Sequence, residues 1–181
     1  MRVGVLAVQG NFREHAATLR RLGADVVEVR KPEQLEGLDG LVVPGGESTT
    51  FMRLMRLYGL DEALRSFGGP VFGTCAGMIV LATSVDGDPG LLGAIDIAVR
   101  RNAYGRQTES FEADVDVRGT GNVRAVFIRA PMVEWVGEGV AVLGEHEGRP
   151  VVLERDNVLV ASFHPELVGE TALHERLLEG I

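Results

Sequence analysis

In the first half of this chain, short apolar runs alternate with segments of helical period, and that alternation restricts the fold more than any other feature. Arg2 to Val8 reads as a buried strand and Phe12 to Leu22 as a helix with Phe12, Ala16, Leu19 and Leu22 on its inner face. Gly23 ends that helix as a C′ residue. Asp25 to Val29 is a second strand, broken by Lys31-Pro32, and Leu38 to Val43 a third, closed by Pro44-Gly45-Gly46. Thr49 to Leu57 and Leu60 to Phe67 have helical spacing, with Ser48 as the expected N-cap of the first. Val71 to Thr74 is the fourth strand, and Ala76 to Ala82 the helix behind it. From about Gly87 the character changes. The turn cluster Asp86-Gly87-Asp88-Pro89-Gly90 is followed by strand-like pieces at Ile95–Val99, Ser110–Val117, Val123–Ile128, Val140–Leu143, Pro150–Leu153 and Val158–Ser162. Thr171 to Leu178 is the closing helix. Alternation first and a strand-rich second half predict an α/β fold of three layers: a largely parallel sheet with helices on both faces and added antiparallel strands. No internal repeat, low-complexity tract or linker interrupts the 181 residues, so residues 1–181 are expected to form a single domain.

The chain has one cysteine, in Gly73-Thr74-Cys75-Ala76-Gly77, between a strand-like and a helix-like segment. Glycines on both sides of a lone thiol suit a strained strand-to-helix turn that presents a nucleophile. Near the other end stands His164-Pro165-Glu166. In an extended segment residues two apart face the same way, so Glu166 can orient the His164 ring while His164 takes the thiol proton. An attacked carbonyl develops an oxyanion that needs two preorganised donors. The N–H of Ala76 is one candidate, and a backbone N–H of Gly45-Gly46, where absent side chains let the main chain approach, is the other. In an open α/β sheet such residues gather beyond the carboxyl ends of the strands, where Gly45-Gly46, Cys75 and His164 all fall. The plainer alternatives are a buried structural cysteine and a surface His-Pro-Glu turn; the glycine frame and the joint occurrence of the two motifs weigh against them.

Composition excludes several other classes. The formal net charge is -8, from 18 Lys+Arg against 26 Asp+Glu, and no basic stripe is interleaved with aromatics, so nucleic acid is not an expected partner. One cysteine cannot form an internal bridge, and no apolar run is long enough to span a bilayer. The expectation is a soluble, cytoplasmic protein. His15 and His174 are expected on the exposed sides of the first and last helices, and Glu145-His146-Glu147 in a solvated hairpin. None has a second ligand at metal spacing, and no phosphate-cradling glycine loop occurs, so neither a metal nor a bound cofactor is expected.

Cys75, His164 and Glu166 in this order, preceded by Pro44-Gly45-Gly46-Glu47-Ser48, resemble a class I (triad) glutamine amidotransferase. Leu41-Val42-Val43-Pro44-Gly45-Gly46-Glu47-Ser48-Thr49-Thr50, Phe72-Gly73-Thr74-Cys75-Ala76-Gly77-Met78 and Arg101-Asn102-Ala103-Tyr104-Gly105-Arg106-Gln107 are similar to one branch, the glutaminase subunit of pyridoxal 5′-phosphate synthase. So are Ser110-Phe111-Glu112-Ala113, Phe127-Ile128-Arg129-Ala130-Pro131 and Ser162-Phe163-His164-Pro165-Glu166-Leu167, and the likeness covers essentially the whole chain. Asn11-Phe12 and Met132-Val133-Glu134-Trp135 depart from the expected wording of the branch.

The resemblance implies a flavodoxin-like core and hydrolysis of L-glutamine to L-glutamate and ammonia through a γ-glutamyl thioester on Cys75. It also implies that Gly46, Glu47, Ser48, Arg101, Ile128 and Arg129 bind the glutamine, and that Gln9-Gly10 helps complete the oxyanion hole. The implied partner is a (β/α)8-barrel synthase subunit with a dodecameric core. That partner would take the ammonia and make pyridoxal 5′-phosphate from ribose 5-phosphate and glyceraldehyde 3-phosphate. Pyridoxal phosphate would then be the product of the complex and not a ligand of this chain. Two rival readings are a glutaminase serving another synthase, such as that for imidazole glycerol phosphate, and a stand-alone cysteine hydrolase of the same fold. For Arg101 and Arg129, the alternative to substrate binding is a structural ion pair.

Overall fold

The structure, a computed structural model, describes residues 1–101 and 110–181; most of the Arg101–Gln107 motif therefore lies outside the described residues. The chain opens with strand β1 (Arg2–Leu6), helix α1 (Phe12–Arg21), β2 (Asp25–Val29), β3 (Gly40–Val43), α2 (Ser48–Leu57), α3 (Leu60–Arg65), β4 (Val71–Thr74) and α4 (Ala76–Leu81). There follow β5 (Ala82–Val85), β6 (Asp88–Pro89), β7 (Ile95–Arg100), β8 (Phe111–Val117), β9 (Gly121–Phe127) and β10 (Met132–Val136). The chain ends with β11 (Ala141–His146), β12 (Arg149–Arg155), β13 (Val158–Ala161) and α5 (Ala172–Glu179).

Nine strands form one sheet in the order β2-β1-β3-β4-β13-β12-β11-β8-β9. Its first five strands are parallel and its last four antiparallel. This is the largely parallel α/β architecture anticipated from the alternation. The central strands are buried on both faces, so successive residues feed two different cores. Leu41 and Val43 join one cluster with Phe51, Met55, Leu60 and Met78, whereas Val42 and Phe72 join another with Ala16, Leu19, Leu173 and Leu177. Helices α2, α3 and α4 thus cover one face, and α1 and α5 the other.

Several boundaries depart from the sequence reading. The second half contains a separate four-stranded sheet, β10-β7-β5-β6, whose members β5, β6 and β10 the apolar pattern did not mark. Strand β6 is only two residues long and exposed, and β10 buries few of its side chains, so neither carries a strong alternation. Ser48 is not the cap of α2 but its first helical residue. The cap is Glu47, whose carboxylate accepts the N–H groups of Thr49 at 2.9 Å and Thr50 at 2.7 Å. The inner face of α1 is also rotated: His15, Ala16, Thr18 and Leu19 are buried, while Phe12 and Leu22 are half-buried. Phe12 packs at the edge of the second core, and its ring also meets the guanidinium groups of Arg13 and Arg30.

Candidate active site

Four neighbouring parallel strands, β1, β3, β4 and β13, deliver the chemistry at their carboxyl ends. Gln9-Gly10-Asn11 follows β1, Gly45-Gly46 follows β3, Cys75 follows β4 and His164 follows β13. The register keeps the ends level, with Val43 beside Gly73 and Ala161 beside Thr74.

Cys75 has φ 49° and ψ -104°, outside the regions open to most side chains. Conformations of this type cost on the order of 1–3 kcal/mol and persist only where surroundings enforce them. Here its N–H donates to the Ala161 carbonyl at 2.8 Å, and its carbonyl accepts from Ile79 at the start of α4. Two glycines make the turn possible. A Cβ at Gly77 would strike the Val43 carbonyl, and one at Gly45 would collide with the His164 ring while crowding the Cys75 Cβ at 3.2 Å.

His164 is nearly buried, and its Nδ1 lies 2.8 Å from Glu166 Oε1. A carboxylate there fixes the tautomer with the proton on Nδ1 and leaves Nε2 for the thiol. Burial alone would lower the His164 pKa. Hydrogen bonding and charge from the adjacent Cys75 and Glu166 outweigh that and raise it well above the ordinary imidazole range. Glu166 moves the other way. Burial favours its neutral form, but the facing His15 and His164 prevail and hold it at about 2. The pair is therefore set up as imidazolium and carboxylate beside a thiol.

The loops after β1 and β3 interlock. Gly10 has φ 79° and abuts the Gly45 carbonyl, which accepts the Asn11 N–H at 3.1 Å. A Cβ on Gly46 would meet the Gln9 amide, whose Oε1 accepts the Glu47 N–H at 3.1 Å. The Gly45 N–H is committed to Thr74 Oγ1 at 3.1 Å. That removes Gly45 from the oxyanion candidates and leaves Gly46 and Ala76.

A cleft of about 380 Å³ opens over Cys75 and His164 and is lined by Asn11, Gly46, Glu47, Ser48, Thr49, Ile79, Arg101, Ile128 and Arg129. It falls within the roughly 300–1,000 Å³ common for small-molecule sites. All six residues that the resemblance assigned to glutamine line it. Arg101 is both a cleft residue and half of an ion pair. Its Nε donates to Asp86 Oδ2 at 2.6 Å and its backbone N–H to Asp86 Oδ1 at 2.8 Å, while Nη1 reaches Thr49 Oγ1 at 3.2 Å. Arg129 has φ 44°, and among the described residues it forms no ion pair. The Glu47 carboxylate, held at about 2 by its hydrogen bonds to Thr50, is occupied in capping α2, so this residue meets the cleft with its side chain already engaged.

Three residues at the site were given no role in it by the sequence reading. Asn11 donates from Nδ2 to Glu166 Oε1 at 3.2 Å. Thr74 holds the Gly45 peptide. His15, expected on an exposed face, is fully buried, with Nε2 3.5 Å from Glu166 Oε2; His174, expected to be exposed, is also fully buried, 2.8 Å from His15. Asn11 and His15 stand four apart, one helical turn on the same face, and that polar pair in an otherwise apolar-facing helix was the available signal. Among the described residues no group of His, Cys, Asp and Glu is arranged to hold a metal ion, and no helix is long and apolar enough to cross a membrane.

This fold and site define a triad-type glutamine amidotransferase. The model of the SNO glutamine amidotransferase family matches residues 5–180, and the chain belongs to that family. It is 54% identical over 183 residues to the pyridoxal 5′-phosphate synthase subunit PdxT of Thermosipho africanus, covering 98% of this chain and 97% of that one. It is 52% identical over 183 residues to the PdxT subunit of Thermus thermophilus, covering 98% and 96%. Among solved structures, a glutamine amidotransferase crystal structure superposes with a TM-score of 0.93 at 50% identity, covering 98% of this chain and 97% of that one. PurLQS from Thermotoga maritima shares the fold alone, with a TM-score of 0.72 at 15% identity over 98% of this chain and 97% of that one.

Proposed function

We propose that this chain is the glutaminase subunit of a pyridoxal 5′-phosphate synthase. The full-length likeness to PdxT subunits supports that assignment, and one observation carries the chemistry: the strained Cys75 stands beside an imidazolium–carboxylate pair at the floor of an amino-acid-sized cleft. The domain spans residues 1–181.

In this mechanism the L-glutamine α-carboxylate pairs with the Arg101 and Arg129 guanidinium groups, and the side-chain amide points down at Cys75. Main-chain and hydroxyl groups of Gly46, Ser48 and Ile128 complete the grip, and Glu47 shapes the rim. The Cys75 thiolate attacks the amide carbon, and the oxyanion is received by the N–H groups of Ala76 and Gly46, with Gln9-Gly10 fixing the second. His164 gives its proton to the departing nitrogen, and ammonia leaves. The γ-glutamyl thioester remains on Cys75. His164 then takes a proton from water, hydroxide adds to the thioester, and glutamate leaves as the thiolate returns. Glu166 holds the imidazole and its charge throughout. Removing one oxyanion donor of this kind costs about 100- to 1,000-fold in turnover.

The ammonia passes to a (β/α)8-barrel synthase partner, assembled as a dodecameric core decorated by glutaminase subunits. Acid-quenched reactions with L-glutamine and that partner test the chemistry. Mass spectrometry should find a γ-glutamyl adduct on Cys75 that is absent from Cys75→Ala. An adduct on another residue, or none despite turnover, contradicts the mechanism.

A further inference from the structure

His15 has no part in the chemistry above, yet it is buried among polar groups that do. It lies on α1 with Nε2 3.0 Å from Thr74 Oγ1 and 3.5 Å from Glu166 Oε2, and with Nδ1 2.8 Å from His174 Nε2. The other Glu166 oxygen is satisfied by His164 and Asn11. Oε2 is buried with no hydrogen bond of ordinary length, and His15 Nε2 is the polar group facing it. An uncompensated buried carboxylate oxygen is costly, which favours a proton on Nε2, shared between Thr74 Oγ1 at 3.0 Å and the carboxylate at 3.5 Å. Nδ1 then accepts from the His174 Nε2–H. The opposite tautomers would aim the His15 lone pair at the carboxylate.

We propose that His15 is a positioning residue: with His174 it forms a neutral, buried relay that holds the Glu166 carboxylate and, through Thr74, ties it to the Gly45-Gly46 loop. The inference rests on the reading of Cys75, His164 and Glu166 as the catalytic triad. Burial keeps His15 neutral. Burial lowers its pKa, Glu166 and Glu14 act to raise it, His164 acts to lower it, and burial prevails. His174 is lowered to about 3 by burial, by His15 and by Arg21, against Glu166 and the Glu170 backbone. Neutrality matters because a cation at His15 would compete with the His164 imidazolium for the Glu166 charge. A neutral donor orients the carboxylate and leaves that charge to His164. The same ring meets Thr74 Oγ1, which accepts the Gly45 N–H, so one side chain links the base to the loop that carries the second oxyanion donor.

The test compares His15→Leu, which has no donor, with His15→Gln, whose amide can supply one, in the full chain. Two readouts are used: the pH midpoint of Cys75 alkylation by iodoacetamide in the isolated chain, and kcat and KM for glutamine in complex with the synthase partner. In His15→Leu, kcat should fall about 10-fold or more with KM little changed. The alkylation midpoint should rise by about one pH unit as the imidazolium loses support. His15→Gln should recover most of both. A purely structural histidine would lower thermal stability and leave midpoint and kcat alone, and that result overturns the proposal, as does a His15→Gln variant no better than His15→Leu. If His15→Leu does not fold, His174→Leu, which removes only the donor to His15 Nδ1, should shift the midpoint the same way; no shift overturns the relay. A wild-type chain that hydrolyses no glutamine would defeat the proposed function, while the alkylation midpoints would still decide on the relay.

Discussion

Cys75 carries the strain of the site in its own backbone, and its neighbours are chosen to leave room for it. Gly45→Ala should remove activity without unfolding the protein, because the new methyl displaces the His164 ring. Retained turnover in a folded Gly45→Ala enzyme would contradict the geometry. Glu166→Gln preserves shape and loses charge, so the His164 pKa should fall back toward its ordinary value. Turnover should drop on the order of 100- to 10,000-fold, the range of general acid–base contributions. Asp86 is a different case. It grips Arg101 through both Nε and the backbone N–H and so fixes the guanidinium at the cleft, where Nη1 reaches Thr49. Asp86→Ala should raise KM for glutamine by roughly 10-fold, about 1.4 kcal/mol of lost binding, with a smaller effect on kcat. Steady-state kinetics separates the two constants.

The elements around the site hold it by close approach of backbone to backbone. Helix α4 packs its Gly77 onto the β3 carbonyl of Val43, so Gly77→Ala should destabilise the protein by about 1–3 kcal/mol in urea titrations, through forced overpacking. Helix α2 depends on Glu47 as its cap. Its folded pKa of about 2 lies below the ordinary 4.5, so the cap's contribution is present above pH 4.5 and lost as pH falls through about 2. Glu47→Ala should cost about 1 kcal/mol at neutral pH. At this scale the sequence was legible wherever burial was two-sided: β4 falls on Val71–Thr74, as its apolar run predicts, and β13 on Val158–Ala161, within the predicted Val158–Ser162. It was illegible where pairing is made by backbone alone, as in β6, or where a polar residue is buried for the site, as His15 is in α1. A periodicity argument assigns such a histidine to water, because it cannot see the carboxylate delivered from residue 166.

Over the whole molecule, the buried histidines make stability sensitive to acid. His15 and His174 are neutral in the folded protein with lowered pKa values, so unfolding takes up protons once pH falls below about 6.5. The raised His164 adds no slope there, since it is protonated in both states well below 6.5; its stabilisation is lost instead as pH rises above that value. Glu166 and Glu47 enter only below 4.5. Between pH 6.5 and 4.5 stability should therefore fall by up to about 1.4 kcal/mol per pH unit for His174, with His15 acting in the same direction, and His174→Gln should flatten the urea-midpoint profile. The triad and its strand-end placement were visible in the order of Cys75, His164 and Glu166, because glycine frames and a His-x-Glu spacing are local. The support behind it was not, since Asn11, Thr74 and His15 meet Glu166 and Gly45 only once four strands are assembled. The central claim is that this active site serves a synthase. The most direct measurement is glutamate release from L-glutamine by the purified chain, alone and with its pyridoxal 5′-phosphate synthase partner, beside Cys75→Ala. Release that rises sharply with the partner and vanishes in Cys75→Ala is the predicted result; equal release without the partner, or release that survives the loss of the thiol, would contradict it.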